Sequence, residues 1–174
     1  PCVETIQKNH ICHKVIAPSM IDGQIAARAQ HLAQKCVDTI CGIGVFGIEL
    51  FLSDSDEVLV NEIAPRPHNS GHYTIEACYA SQFENAIRAV CGLPLGSTEM
   101  IKPGACMINL LGERDGIGVP NEVGEVLAID GAKLHLYNKK SSRQGRKMGH
   151  ITALGNSALE AIGIAELAYS RLKW

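Results

Sequence analysis

Two glutamates and a dense polar string hold most of the chemistry this chain could do. Glu49 closes the apolar run Gly44–Glu49, and Glu62 lies in the string Asn61-Glu-Ile-Ala-Pro-Arg-Pro-His-Asn-Ser-Gly-His72. Two runs rich in Ile, Val, Leu and Phe, 43–53 and 58–63, flank the polar turn Asp54-Ser55-Asp56-Glu57, which predicts a β-hairpin. With the turn centred between Ser55 and Asp56, Leu52 pairs with Leu59, Phe51 with Val60, and Glu49 faces Glu62. Directly opposed side chains lie about 5 Å apart at Cβ, and like charges there destabilise a sheet. The repulsion is roughly 3 kcal/mol at an effective dielectric near 20. Either a cation sits between the carboxylates, and hard oxygen donors in that number suit Mg²⁺, or both glutamates are solvated.

Two further residue types in the string bear on chemistry. Arg66 stands between Pro65 and Pro67, on a backbone that proline stiffens. A guanidinium presented this way suits a carboxylate, bicarbonate or phosphate. His68 and His72 read either as hydrogen-bonded structural histidines or as groups of a site; loops leaving strand ends often carry such groups. Later in the chain, Lys139, Lys140, Arg143, Arg146 and Lys147 fall within nine residues. That cluster is either a solvated loop or a phosphate site.

The elements that must position these groups follow from periodicity and punctuation. Residues 11–16 predict a strand ended by Pro18. Apolar residues at Ile21, Ile25, Ala29, Leu32, Cys36 and Ile40 form one helical stripe, predicting a helix over 19–40. Ser19 with Asp22 resembles its capping box. The prolines make 64–71 a loop, and helices follow near 74–80 and 81–91, the second with a Ser81/Glu84 capping box and a stop at Gly92 and Pro94. Residues 93–103 form a boundary between lobes. Beyond it come strands at 105–111, 133–137 and 148–154, a short helix near 121–127, and a last helix capped by Ser157 and Glu160. The expected fold is α/β (α+β): an antiparallel sheet with flanking helices over 1–95, then a small β-rich lobe over 96–174.

Bulk properties exclude several classes. The 174 residues are 46% hydrophobic and 20% charged, with a net charge of −2, ordinary for a globular protein and no signature of a nucleic-acid or anionic-membrane partner. The seven cysteines are scattered without a C-x-x-C pair, which argues for reduced thiols over a zinc site or disulfide framework. There is no transmembrane run and no signal-peptide pattern.

At these residues the chain resembles a known family. Gly44–Phe51 (GVFGIELF) followed by Val60–Cys78 (VNEIAPRPHNSGHYTIEAC) is similar to the ATP-grasp domain of the carboxyaminoimidazole ribonucleotide synthetases. The similarity is strongest to the fungal and plant form, fused to a mutase domain and called phosphoribosylaminoimidazole carboxylase. Ser81–Gly96 (SQFENAIRAVCGLPLG) and Arg146–Ile151 (RKMGHI) extend it. The resemblance implies the C-terminal part of an ATP-grasp module, followed by a small C-terminal domain.

It further implies a ligase that uses ATP and bicarbonate to carboxylate aminoimidazole ribonucleotide through carboxyphosphate, in purine synthesis. In that role Glu49 and Glu62 would hold Mg²⁺ against ATP with Asn61 beside them. Arg66 would steady bicarbonate and His68 would sit near the transferred carboxyl. Lys139, Arg143, Arg146 and Lys147 would take the ribonucleotide phosphate. The parent would be a cytoplasmic homodimer, or plastid-borne in a plant. Because family members carry more of the grasp and a preceding domain, the chain is expected to be a fragment inactive alone. Another ATP-grasp ligase, or a non-catalytic truncated product, is the alternative.

Overall fold

A computed structural model describes residues 1–172. They fall into two compact units: residues 1–3 with 19–101, and Glu4–Pro18 with the chain from Lys102 onward.

The first unit contains α1 (Gly23–Thr39), a hairpin of β3 (Gly47–Leu52) and β4 (Val58–Ala64), and the short helices α2 (Thr74–Ala77) and α3 (Gln82–Val90). Helix α1 lies against β4, burying Ile25 and Ala29 of the predicted stripe. It starts later than the 19–40 reading. Asp22, not Ser19, is its cap: Asp22 Oδ1 accepts from the backbone N–H of Gln24 at 2.8 Å and Ile25 at 3.3 Å. Aspartate satisfies the orphan donors of a helix start as well as serine does. Strand β3 also starts later than predicted, since Gly44 at φ 133° interrupts the extended run. Helix α3 begins as expected, with Ser81 Oγ accepting from Glu84 N–H at 3.1 Å.

The second unit is a five-stranded antiparallel sheet in the order β1-β2-β5-β9-β7. Its strands are β1 (Glu4–Lys8), β2 (Ile11–Ala17), β5 (Gly104–Leu111), β7 (Ala132–Leu136) and β9 (Lys147–Gly155). The two-residue strands β6 (Gly116–Ile117) and β8 (Ser141–Ser142) pair separately, and α4 (Val123–Leu127) precedes β7. Residues 4–18 enter this sheet because β2 pairs with β5, Lys14 opposite Ile108 through Ala17 opposite Ala105. The division at residue 95 expected from sequence order thus meets a unit boundary at 101/102, with an N-terminal hairpin contributed to the later unit.

Strand β1 is absent from the sequence reading. Glu-Thr-Ile-Gln-Lys carries no apolar alternation because it is an edge strand, exposed along most of its length. Its turn, Asn9-His10, adopts positive φ at both residues (52° and 60°), as a two-residue hairpin requires, without the usual glycine.

Helix α5 (Ala158–Arg171) covers the sheet through Ala161, Ala165 and Ala168, all fully buried at helical spacing. Small side chains let it settle onto Cys106, Ile108 and Ala153, and onto Leu110, Val126 and Ile151. We expect Leu110→Ala to cost about 3 kcal/mol in a urea titration, the transfer and cavity cost of a buried leucine. Leu159→Ala, on the solvent face at 70% exposure, should shift the midpoint little.

Candidate functional site

The β3–β4 hairpin is built with two irregularities that offset each other. Its turn holds three residues between Ser53 and Glu57: Ser53 N–H donates to the Glu57 carbonyl at 2.9 Å. Glu57 N–H donates back to Ser53 Oγ at 3.0 Å, and Asp56 takes φ 59°. The odd loop pairs Leu52 with Val58, Phe51 with Leu59 and Leu50 with Val60, one residue away from the expected register. A β-bulge then restores it. Asn61 is the extra residue of β4, and beyond it Glu49 pairs with Glu62, Ile48 with Ile63 and Gly47 with Ala64. The predicted glutamate pair stands, while the predicted Leu52–Leu59 and Phe51–Val60 pairs do not.

The bulge decides what shares a face. In a regular strand Asn61 and Glu62 would point to opposite sides; a bulge re-aims one of them. Asn61 Nδ2 donates to Glu49 Oε2 at 3.3 Å, so the amide lies on the face of the carboxylate pair. Glu49 is about one-third exposed and Glu62 is exposed. Water therefore screens their repulsion toward about 1 kcal/mol. The donor set is hard oxygen throughout, two opposed carboxylates and an amide, with open solvent for further ligands. It fits a six-coordinate Mg²⁺ that keeps waters or phosphate oxygens.

The loop after β4 is fastened to the same face. Arg66 N–H donates to the Ala64 carbonyl at 2.8 Å. Its exposed guanidinium donates from Nη1 to the Pro67 carbonyl at 3.1 Å, leaving other donors toward solvent. His68 Nε2 stands 3.6 Å from Glu49 Oε1, and its Nδ1 is 2.9 Å from Ser70 Oγ. Gly47 makes this approach possible, since a Cβ there would fall 2.5 Å from His68 Cβ. The structure thus brings Glu49, Asn61, Glu62 and His68 together, with Arg66 following in the same loop.

Two groups escaped the sequence reading. Ser70 holds one side of the His68 ring. Gln82, the first residue of α3, accepts from His68 N–H at 2.9 Å and donates to the His68 carbonyl at 2.8 Å. Its place one residue after a helix cap reads from sequence as an ordinary solvent-facing position. Gly71 leaves room for it, since a Cβ there would stand 2.4 Å from Gln82 Oε1.

In the second unit the basic residues form one electrostatic cluster. Burial, then the charges of Arg146, Arg143 and Lys147, hold the Lys139 ammonium below its ordinary lysine value. Lys139 Nζ donates to the Lys147 carbonyl at 2.6 Å and lies 5.8 Å above the Tyr137 ring. Arg146 Nη1 donates to the Ser141 carbonyl at 3.0 Å. The segment is tied down rather than loose: Gly145 N–H donates to the Gly112 carbonyl at 2.9 Å and Gly112 N–H to the Arg146 carbonyl at 2.8 Å. Arg143 is exposed at its edge. Such a cluster suits a multiply charged anion.

Comparison with known proteins gives a consistent result. The chain matches the ATP-grasp domain over residues 1–83 and the phosphoribosylaminoimidazole carboxylase C-terminal domain over 105–163. It is 50% identical over 165 residues to phosphoribosylaminoimidazole carboxylase of Schizosaccharomyces pombe, covering 92% of this chain and 30% of that protein. Among solved structures it is similar to N5-carboxyaminoimidazole ribonucleotide synthetase of Thermotoga maritima (TM-score 0.88, 50% identity, 92% of this chain, 45% of that one). It also resembles N5-carboxyaminoimidazole synthase of Aspergillus clavatus, solved with ADP and aminoimidazole ribonucleotide (TM-score 0.87, 39% identity, 97% and 46%). The chain thus spans less than half the length of these proteins.

The opposed carboxylates make a stability prediction. In buffer free of divalent ions, Glu62→Gln should raise the unfolding free energy by about 0.5 kcal/mol, by removing a cross-strand like charge. Differential scanning calorimetry reads the sign. A destabilised variant would mean that the Glu62 charge is needed by the fold itself. For the basic cluster, inorganic phosphate should raise the Lys139 pKa, since a bound anion offsets the neighbouring positive charges that lower it. NMR titration of the lysine side chain tests this.

Proposed function

The chain belongs to the ATP-grasp proteins of the phosphoribosylaminoimidazole carboxylase family, as the C-terminal part of their grasp module, and on that premise we propose what its residues do. The protein that carries it converts ATP, bicarbonate and aminoimidazole ribonucleotide to N5-carboxyaminoimidazole ribonucleotide, ADP and phosphate, in de novo purine synthesis. The observation that supports this most is the Glu49–Asn61–Glu62 face, a hard-oxygen donor set built by a bulge.

Glu49 and Glu62 would hold Mg²⁺, with Asn61 orienting Glu49 and adding its amide to the nucleotide site. The cation, when bound, neutralises the phosphate oxygens of ATP. Arg66 offers its outward donors to bicarbonate, whose oxygen takes the γ-phosphoryl group while ADP leaves. The exocyclic amine of the ribonucleotide then attacks the carboxyl carbon, forming the new C–N bond as the C–O bond to phosphate breaks and the amine proton passes to the departing phosphate. His68, its Nδ1 held by Ser70 and its Nε2 facing Glu49, orients the carboxyl group for that attack. Lys139, Arg143, Arg146 and Lys147 bind the ribonucleotide phosphate; an Aspergillus clavatus relative binds ADP and aminoimidazole ribonucleotide. Among the described residues no helix is long and apolar enough to cross a membrane. We place the protein in the cytoplasm, or in the plastid of a plant source, as a homodimer.

Phosphate release by the complete protein, with Mg²⁺, ATP and bicarbonate, should require aminoimidazole ribonucleotide. Release independent of the ribonucleotide would point to a different acceptor. Glu62→Gln should lower this turnover at least ~100-fold, the scale of losing a metal-held phosphate clamp, and near-normal turnover would remove the carboxylate pair from the site. Lys139→Met should raise KM for the ribonucleotide ~10-fold, about the strength of one charge-assisted bond, with KM for ATP unchanged. Equal effects on both constants would place the lysine elsewhere.

A further inference from the structure

Every polar atom of the Gln82 side chain is committed to the loop that carries His68. Oε1 accepts from His68 N–H at 2.9 Å, and Nε2 donates to the His68 carbonyl at 2.8 Å. The amide thus pairs with both main-chain groups of one residue, as a neighbouring strand would. Its Nε2 also lies 2.9 Å from His72 Nδ1, so both amide hydrogens have acceptors. The Gln82 backbone N–H donates to Thr74 Oγ1 at 2.9 Å, and that hydroxyl donates to the Gly71 carbonyl at 2.6 Å. Helix α3 does not need this amide for its own start, because Ser81 supplies the cap.

The consequence falls on the ring of His68. With its backbone held from the α3 side, its Cβ lies over Gly47 of β3. Its Nδ1 meets Ser70 Oγ at 2.9 Å and its Nε2 faces Glu49 Oε1 at 3.6 Å. A carboxylate on the Nε2 side favours the tautomer with the proton on Nε2, leaving Nδ1 to accept from the Ser70 hydroxyl.

We infer that Gln82 is a positioning residue of the carboxylation site: its amide sets the place of His68, and so lets Ser70 and Glu49 select one tautomer of its ring, without touching any reactant itself. This rests on the reading of the site given above. Reacting groups tolerate little displacement, and a shift of about 1 Å costs on the order of 100-fold in rate.

Gln82→Glu is nearly isosteric and keeps the acceptor for His68 N–H, but a carboxylate cannot donate to the His68 carbonyl or to His72. Gln82→Ala removes all three bonds. In the complete protein, Gln82→Glu should lower kcat ~10-fold or more, with KM for ATP within about twofold. Long-range ¹H–¹⁵N spectra should show the His68 ring passing from one Nε2–H tautomer to a mixture in both variants. Where Gln82→Ala does not fold, Gln82→Glu alone decides. An unchanged tautomer in folded Gln82→Glu overturns the inference whatever happens to the rate, and so does a KM for ATP that moves as much as kcat. If the wild-type protein shows no ribonucleotide-dependent turnover, the assignment of the reaction fails instead, and the His68 spectrum still tests the positioning role.

Discussion

The β-bulge at Asn61 sets which side chains share a face of the β3–β4 hairpin, and the arrangement of the first unit's polar groups depends on it. Hairpin register is a strict quantity, because one residue of slip sends every following side chain to the opposite side. The three-residue turn at Asp54–Asp56 would put Asn61, not Glu62, opposite Glu49. The extra residue in β4 brings the two carboxylates into opposition, and it turns Asn61 toward them as well. A strand of ideal alternation has no means of presenting two neighbouring residues on one face. The cost is a like-charge pair across the strands, tolerable because both groups reach water.

From that hairpin the order of the loop follows outward. Prolines 65 and 67 exclude regular pairing, so the backbone of 64–72 must find its partners elsewhere. It finds several in Gln82 and Thr74, side chains of two short helices that are themselves too small to be stable alone. Helix and loop therefore hold each other: α3 is capped by Ser81, its first residue grips His68, and His68 packs where Gly47 leaves room. The second unit solves a different problem. Its central strands are buried on both sides, and an alanine stripe on α5 lets the helix lie close enough to exclude water from them. Its basic residues sit on a segment tied by main-chain hydrogen bonds, so their positive charges stay together despite mutual repulsion.

Much of this could be read from residue types. The long amphipathic helix, the apolar strands at 105–111 and 148–154 and two of the three capping serines all follow from periodicity and short-range rules. What escaped reading depended on tertiary partners. Strand β1 is polar and its turn lacks glycine, so only pairing with β2 reveals it. The start of α1 moved because two residues of the same segment can each cap a helix, and it is the Asp22 carboxylate that accepts the first free N–H groups. The turn shift and the bulge each alter register by one residue in opposite senses, so the correct carboxylate pair emerged from an incorrect local pairing. Gln82 was invisible because a glutamine at a helix start has no sequence signature for reaching fourteen residues back. The motif Asn61–His72 was conspicuous by composition, whereas the residue that orders it was not.

The central claim is that the bulged face is a divalent-cation site, and paramagnetic broadening by Mn²⁺ tests it most directly. On isotopically labelled protein, substoichiometric Mn²⁺ should broaden the resonances of Glu49, Asn61 and Glu62 first, and Mg²⁺ should reverse the effect. Broadening centred on the acidic turn Asp54–Glu57, or none at the bulge, would contradict the account.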